Sequence, residues 1–205
     1  MARTKRKSSS KDGELKTLIA ELQAANAALK EENARLRSTQ DELLQLRYDA
    51  LTGLLTRQGY EVDIPEVGNR RSAGKPGCVA VIDVNNFKIA NDELGHHQGD
   101  AVLNEISRII KSNKRRDDSA IRWGGDEIVI IFRSADMVRV RRRLEQMRRA
   151  INDALIPFNS RLPHDLKCGV AIGCANFQEV ADFEEAFQEA DRLMYEDKVK
   201  QKSSL

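Results

Sequence analysis

The strongest constraint on the fold is a pair of glycines followed by two carboxylates, Gly124 to Glu127, with apolar β-formers after them. This pattern predicts a strand, a tight turn and a second strand. Glycine allows a sharp turn and lets a ligand approach where no Cβ stands. Such a turn is weak evidence for a site when taken alone, because Gly and Asp are common in hairpins. The sequence therefore predicts a hairpin whose exposed tip carries Asp126 and Glu127.

A second acidic position strengthens this prediction. Asp83 ends the apolar run that begins at Val79, and such a run predicts a buried strand. If that strand lies beside the hairpin, Asp83 and Asp126 converge. Two carboxylates suit Mg²⁺, which leaves room for substrate phosphates, and Lys88 supplies a positive charge for phosphate. A helix cap at Asp83 and a turn at Asp126 would explain each residue alone, but the combination with Lys88 favours a metal–phosphate site.

Residues 13–48 carry a leucine at every seventh position. Placing these leucines at d puts Ile19, Asn26, Asn33 and Gln40 at a. Leucine at d with asparagine at a favours a parallel two-stranded coiled coil, because each buried Asn pairs with its mate. A single helix packed on its own domain is the alternative, although such a helix usually has a wider apolar face. We predict a dimerisation helix whose d positions are Leu15, Leu22, Leu29, Leu36 and Leu43.

Composition limits the remaining function classes. Residues 1–12 are polar and basic, which predicts a disordered tail with weak, salt-sensitive affinity for anions. The net charge of +2 does not indicate nucleic acid as a partner. No run of 18 apolar residues and no secretory signal is visible, so no membrane association is expected. The odd number of cysteines predicts reduced thiols and a cytoplasmic location.

The region after residue 48 alternates predicted strands and helices, which indicates an α+β fold. The helix from Asp136 to Leu155 carries six arginines, and its apolar residues recur at three- and four-residue spacing. The arginines are therefore predicted to form a solvent-exposed face of the helix and not a surface that binds nucleic acid. The other predicted elements are a helix from Thr56 to Val67 interrupted at Pro65, a loop over 69–77, helices over Phe87–Leu94, Asp100–Asn113 and Phe183–Lys198, and a strand over Leu166–Cys174.

Four motifs together resemble the GGDEF-domain diguanylate cyclases, in that family's order and spacing. They are the Gly-Gly hairpin and the segments Asp49–Arg57, Phe87–Asp100 and Ala190–Lys198. The match covers residues 49–202 and is far more specific than one motif alone. The resemblance implies a domain over 49–205 with a central sheet ringed by helices, similar to the palm of nucleotide polymerases and cyclases.

The resemblance also implies an activity: two GTP molecules are joined into cyclic di-GMP with release of two pyrophosphates. Two Mg²⁺ or Mn²⁺ ions per site are expected. The product needs two active sites, so the coiled coil would bring two domains together. The resemblance assigns catalysis to Asp126, Glu127 and Lys88; metal binding to Asp83, the carbonyl of Val84, Asp126 and Glu127; guanine binding to Asn91, His96 and Asp100; and phosphate binding to Asn86, Phe87, Lys88, Lys198 and Lys202.

One further motif implies regulation. Arg115 and Asp118 match the family's Arg-x-x-Asp product site, which binds cyclic di-GMP and inhibits the enzyme; a charged loop is the alternative. The sequence departs from the common pattern at Thr56, Asn85, Ile128 and Lys202. None of these departures removes a principal catalytic group. A catalytically silent domain that acts as a GTP or cyclic di-GMP receptor is the alternative function, and a coiled-coil scaffold that binds DNA through the basic tail is a third.

Overall fold

The computed structural model of the chain describes residues 2–60, 77–163, 166–179 and 182–203, with side chains from Lys16 onward. The chain divides into two compact units, Met1–Gln45 and Leu46–Leu205. Within the described ranges, no helix combines the length and apolar character needed to cross a bilayer.

Helix α1 extends from Ala2 to Arg47. It includes residues 2–12, for which the composition predicts disorder; alanine, lysine and arginine in this stretch are good helix formers, and no proline interrupts it. The leucines at four predicted d positions, Leu22, Leu29, Leu36 and Leu43, are 59–62 % exposed. A helix of this length with an exposed leucine stripe has the pattern of one strand of a coiled coil.

The second unit contains a five-stranded mixed sheet with the order β1-β3-β4-β2-β5. Strands β1 and β3 are parallel, and the other neighbours are antiparallel. This arrangement confirms the predicted α+β fold. The elements are β1 Leu55–Thr56, β2 Gly77–Asn85, α2 Phe87–Leu94, α3 His96–Asn113, β3 Ser119–Gly124, β4 Glu127–Phe132, α4 Met137–Ala154, α5 Ile156–Asn159, β5 Gly169–Phe177 and α6 Phe183–Ser203.

The sheet is covered by helices on both faces, so its central strands alternate between two apolar clusters. One face of β2, with Ala80 and Ile82, packs against α3 and α4. The other face, with Val79 and Val81, packs against the small residues of α6. Every residue of β2 is buried, which agrees with the apolar run that precedes Asp83 in the sequence.

A very close helix–sheet contact occurs at Gly173 of β5. A Cβ built there would lie 2.0 Å from the carbonyl oxygen of Ala190 and 2.2 Å from the amide nitrogen of Met194. Real side chains do not occur at such distances, so only glycine allows α6 to lie this near to β5. This contact sets the position of α6 beside the sheet.

Several predicted boundaries differ from the structure for identifiable reasons. Helix α3 begins at His96 and not at Asp100, because Gly95, at φ 85°, ends α2 and lets the next helix start at once. Strand β5 begins at Gly169 and not at Leu166, because the side chain of Asn159 binds both backbone polar groups of Cys168. Residues 55–56 form a strand, residues 57–60 are helical, and the rest of the predicted helix and loop, residues 61–76, lies outside the described residues.

Candidate active site

The site forms where β2 ends beside the hairpin, and strand register decides which side chains meet there. Asp83 is opposite Glu127 in the antiparallel pairing of β2 with β4. Side chains alternate along a strand, so both acids lie on the same face as Val81 and Val129, which is the face that α6 covers. The structure thus brings together the two segments that the sequence indicated as acidic sites.

Helix α6 contributes a cation to this group of acids. The ammonium of Lys198 lies 2.5 Å from Oδ1 of Asp83, and the Asp83 side chain is 11 % exposed. A charge-assisted hydrogen bond between partly buried groups is stronger than the same contact in water. Lys198 was predicted as a phosphate ligand, and in this structure its ammonium neutralises Asp83.

The two carboxylates of the hairpin, Asp126 and Glu127, lie close to other negative charges. Burial, followed by the negative charge of Asp83, raises the pKa of Asp126 above its ordinary value. Burial and the charges of Asp83, Asp126 and Asp191 also raise the pKa of Glu127. Both shifts have the same origin, namely several carboxylates in a partly desolvated space. A cation placed among them would stabilise their ionised forms.

This donor set fits a magnesium or manganese ion. Mg²⁺ is held by one or two carboxylates together with water and substrate phosphates, so a full protein cage is not required. Within the described part of the chain, no three acidic, histidine or cysteine side chains are arranged to hold a metal ion. The few carboxylates present therefore suit an ion whose other ligands are water or phosphate oxygens.

The turn between β2 and α2 is shaped for phosphate. Asn86 has φ 58° and ψ 19°, a left-handed conformation, and its side chain does not cap α2. Among the residues that the structure describes, the first backbone N–H groups of α2, at Phe87 and Lys88, therefore have no side-chain acceptor, and such groups attract anions. Lys88 itself is exposed. The predicted phosphate residues Asn86, Phe87 and Lys88 thus lie together at one helix start.

The predicted guanine residues lie on two consecutive helices. Asn91 is on α2, and its side-chain oxygen would be only 1.8 Å from a Cβ built on Gly99. This contact places Asn91 directly beside the residue that precedes Asp100. Asp100 and His96 are exposed on the first turns of α3. The structure therefore brings Asn91 close to Asp100, while His96 has no side-chain hydrogen bond within the described residues.

The two residues of the predicted product site have different surroundings. Arg115 is exposed, whereas the side chain of Asp118 is 1 % exposed. Oδ2 of Asp118 accepts hydrogen bonds from the Arg115 backbone at 2.8 Å and from Arg143 at 3.1 Å. Oδ1 of Asp118 is buried and has no partner among the described residues. Asp118 thus holds the turn, and Arg115 is the side chain available to a ligand.

Sequence reasoning did not predict the residue that holds the hairpin tip. Arg122 donates to the carbonyl oxygen of Gly125 from Nε at 3.0 Å and from Nη2 at 2.8 Å. Its remaining nitrogen, Nη1, binds Asp49, which also accepts from Thr52. No local pattern indicates a pair 73 residues apart. The proximity of Asp191 to the site could have been inferred more readily from the sequence. Asp191 lies seven residues before Lys198, which places both on the same helix face.

Comparison with known proteins agrees with this geometry. The family model described as "Diguanylate cyclase, GGDEF domain" matches residues 46–204. Diguanylate cyclase DosC of Escherichia coli (strain K12) is 32 % identical over 72 % of this chain and 32 % of its own length. Diguanylate cyclase DgcS of Shewanella oneidensis is 32 % identical over 78 % of this chain and 52 % of its own length. The chain therefore spans between a third and about half of these relatives.

Solved structures show the same fold. The coiled coil and GGDEF domain of DgcB from Caulobacter crescentus, in complex with c-di-GMP, aligns with a TM-score of 0.70 at 24 % identity and covers 87 % of this chain and 95 % of that one. The GGDEF domain of PA1120 from Pseudomonas aeruginosa aligns at 0.58 and 28 % identity, over 72 % and 91 %. Because the family model covers most of its length, this chain belongs to the GGDEF-domain diguanylate cyclase family.

Proposed function

We propose that this protein is an active diguanylate cyclase that condenses two GTP molecules into cyclic di-GMP and two pyrophosphates. The observation that carries the proposal is the convergence of Asp83, Asp126 and Glu127 at the end of β2. A domain that only binds nucleotide has no need for three mutually repelling carboxylates. Their arrangement is instead suited to phosphoryl chemistry assisted by a divalent ion.

Asp83, the carbonyl of Val84, Asp126 and Glu127 are the groups that would hold the ions, Mg²⁺ or Mn²⁺ and two per site. When bound, such ions neutralise charge at the reacting phosphate and make the attacking hydroxyl more acidic. Asp126 would accept the proton of the ribose 3′-hydroxyl. Burial and the charge of Asp83 raise the pKa of Asp126, which makes it a stronger base than an exposed aspartate.

The remaining residues would position the nucleotide. Backbone amides at Asn86 and Phe87 and the ammonium groups of Lys88, Lys198 and Lys202 would bind phosphates, while Asn91 and Asp100 would read guanine and His96 would line the pocket. A carboxylate accepts from both N1–H and the exocyclic amine of guanine, a donor pair that adenine lacks. In-line transfer between bound groups depends chiefly on such positioning.

Assembly would follow from the coiled coil. One domain binds one GTP, so the reaction needs two sites that face each other. Parallel pairing of α1 along its leucine stripe would bury side chains that are exposed in the single chain. The tether would also raise the effective concentration of one domain near the other. We therefore propose a homodimer, with GTP as substrate, cyclic di-GMP as product and a cytoplasmic location.

Product inhibition would act through the turn at Arg115. The exposed guanidinium can bind a guanine edge or a phosphate through two hydrogen bonds. Asp118 would keep the turn in shape through its bonds to the Arg115 backbone and to Arg143. Cyclic di-GMP is thus expected both as product and as inhibitor.

The test is incubation of the purified protein with GTP and Mg²⁺, with detection of cyclic di-GMP by mass, beside the variant Asp126→Ala. Product from the wild type alone would support the cyclase. A folded dimer that binds GTP but forms no product would favour the second candidate, a catalytically silent receptor for GTP or cyclic di-GMP. The Lys198–Asp83 ion pair is the observation that favours this second candidate, because it occupies a predicted metal ligand.

A further inference from the structure

A cleft of about 550 Å³, lined mostly by residues with polar side chains, opens where β2 ends and β5 begins. It adjoins the predicted phosphate residues, because Asn86 and Lys202 are among its lining residues. It also contains residues to which the family resemblance assigns no role. The side chains that carry the argument are Asn85, Asn86, Lys167 and Lys202.

Lys167 is hydrogen-bonded to the turn between β2 and α2, where the predicted phosphate residue Asn86 lies. The side-chain amide of Asn86 donates to the backbone carbonyl of Lys167 at 3.0 Å. This bond holds the segment before β5 against the left-handed residue that starts α2. The flexible stem of a lysine at that point allows its ammonium to reach a phosphate bound on the first amides of α2.

The charges around the cleft favour an anion. Two of its cations, Lys167 and Lys202, are exposed and form no ion pair within the described residues, whereas Arg148 is paired with Asp197. An unpaired ammonium on the rim of a cleft attracts phosphate. The cleft therefore has positive charge that its own acid, Asp197, does not neutralise.

A buried oxygen in the same cleft lacks a donor. Asn85 is 8 % exposed, and its amide nitrogen donates to Gln201 at 2.7 Å. Its side-chain oxygen, Oδ1, is buried without a partner among the described residues. A buried acceptor left unpaired is costly, so the cleft is completed by a group that brings a donor. An ammonium drawn inward by phosphate, or water that accompanies the phosphate, would supply it.

We propose that Lys167 is an additional ligand for the terminal phosphates of the nucleotide. The inference rests on the proposed function and adds a residue to its site. The inference also bears on Lys202, where the family usually has arginine. A lysine cannot make the bidentate phosphate contact of an arginine. Lys167 would compensate by supplying a second positive charge.

The test is equilibrium binding to the full chain with Mg²⁺, using 3′-deoxy-GTP, which cannot condense, and GMP, which has no terminal phosphates. Lys167→Ala is expected to weaken binding of 3′-deoxy-GTP about fivefold to tenfold and to leave GMP binding unchanged. Lys167→Arg should restore the affinity. The matched control is Arg139→Ala, an exposed α4 residue outside the cleft whose loss removes the same charge.

Equal affinities of Lys167→Ala and Arg139→Ala for 3′-deoxy-GTP would overturn the inference. So would an equal loss of GMP binding, since that would indicate a role in shaping the turn. Binding is measured apart from turnover, so a wild type without cyclase activity refutes the proposed reaction while the affinity difference still supports the contact. A wild type that binds no guanine nucleotide would refute both.

Discussion

Nη1 of Arg122 lies 3.0 Å from each carboxylate oxygen of Asp49, while the other guanidinium nitrogens hold the carbonyl of Gly125. Asp49 begins the turn that follows α1, and Gly125 precedes Asp126, the proposed catalytic residue. One arginine therefore joins the start of the domain to the hairpin tip. Both side chains are only about one-fifth exposed, at 21 % and 22 %, so solvent weakens the pair less than it would at the surface.

Replacing Arg122 with alanine should reduce both catalytic activity and stability. Without the guanidinium, Gly125 is no longer held and Asp126 loses its position, which predicts a fall in turnover of about tenfold to a hundredfold. Loss of hydrogen bonds to a charged group should lower the free energy of unfolding by about 1–3 kcal/mol. Cyclic di-GMP production and urea unfolding measure the two effects. Full activity in a folded Arg122→Ala protein would contradict the positioning role.

The pairing of Asp49 with Arg122 should make the stability of the protein depend on pH. Burial alone would raise the pKa of Asp49, but hydrogen bonds from Thr52 and Arg122 outweigh it and leave the pKa below the ordinary 3.8. The stabilisation is therefore complete above pH 3.8 and is lost as pH falls through the lower folded-state value. Asp49→Asn should be less stable than wild type at pH 7, and the difference in denaturation midpoint should shrink in acid. A difference that stays constant with pH would contradict this.

Asp126→Asn is expected to stabilise the free protein while abolishing synthesis. Because burial and Asp83 raise the pKa of Asp126, its ionised form destabilises the folded state as pH rises above the ordinary value of 3.8. Removing that charge should raise Tm at pH 7 on the order of 2 °C. The gain should disappear below that pH, where the carboxyl is protonated in both states. Thermal melts with and without Mg²⁺ measure this, and a lower Tm at pH 7 would refute it.

Lys198→Ala should affect metal binding and nucleotide binding in opposite directions. The ammonium neutralises Asp83 in the free protein, so its removal should strengthen Mn²⁺ binding several-fold when no nucleotide is present. The same change should weaken GTP binding, because the proposed contact of Lys198 with a phosphate would be lost. Paramagnetic resonance of free Mn²⁺ reports the first effect, and nucleotide titration reports the second. Weaker Mn²⁺ binding in the variant would show that Lys198 does not compete for Asp83.

Leu29→Asp should convert the proposed dimer to a monomer. Leu29 is 62 % exposed and occupies a d position of the heptad, where a carboxylate would be buried between two helices. Activity should then fall steeply at low protein concentration and recover in part at high concentration. Sedimentation velocity and activity against concentration are the measurements. The matched control is Ser38→Asp, at an outward heptad position, and an equal effect of both variants would exclude the leucine stripe as the interface.

Several elements of the structure could be predicted from short-range patterns in the sequence. The Gly-Gly turn, the buried strand before Asp83, the seven-residue leucine repeat and the apolar face of α4 each follow from short-range pattern. These elements occur where predicted, whereas two others, α3 and β5, begin at shifted positions, His96 and Gly169. The first shift arises at Gly95, whose positive φ of 85° ends α2, and the second arises from the hydrogen bonds of the Asn159 side chain on α5 to Cys168.

The way in which these strands and helices pack against one another depends on tertiary contacts that the sequence patterns did not predict. The register of β2 against β4 sets Asp83 opposite Glu127, and the contact at Gly173 sets α6 so that Lys198 reaches Asp83. The contacts of Arg122 with Asp49 and of Asn86 with Lys167 join residues 73 and 81 positions apart. Pairings over such separations depend on how the strands and helices pack, and local propensity carries no information about them.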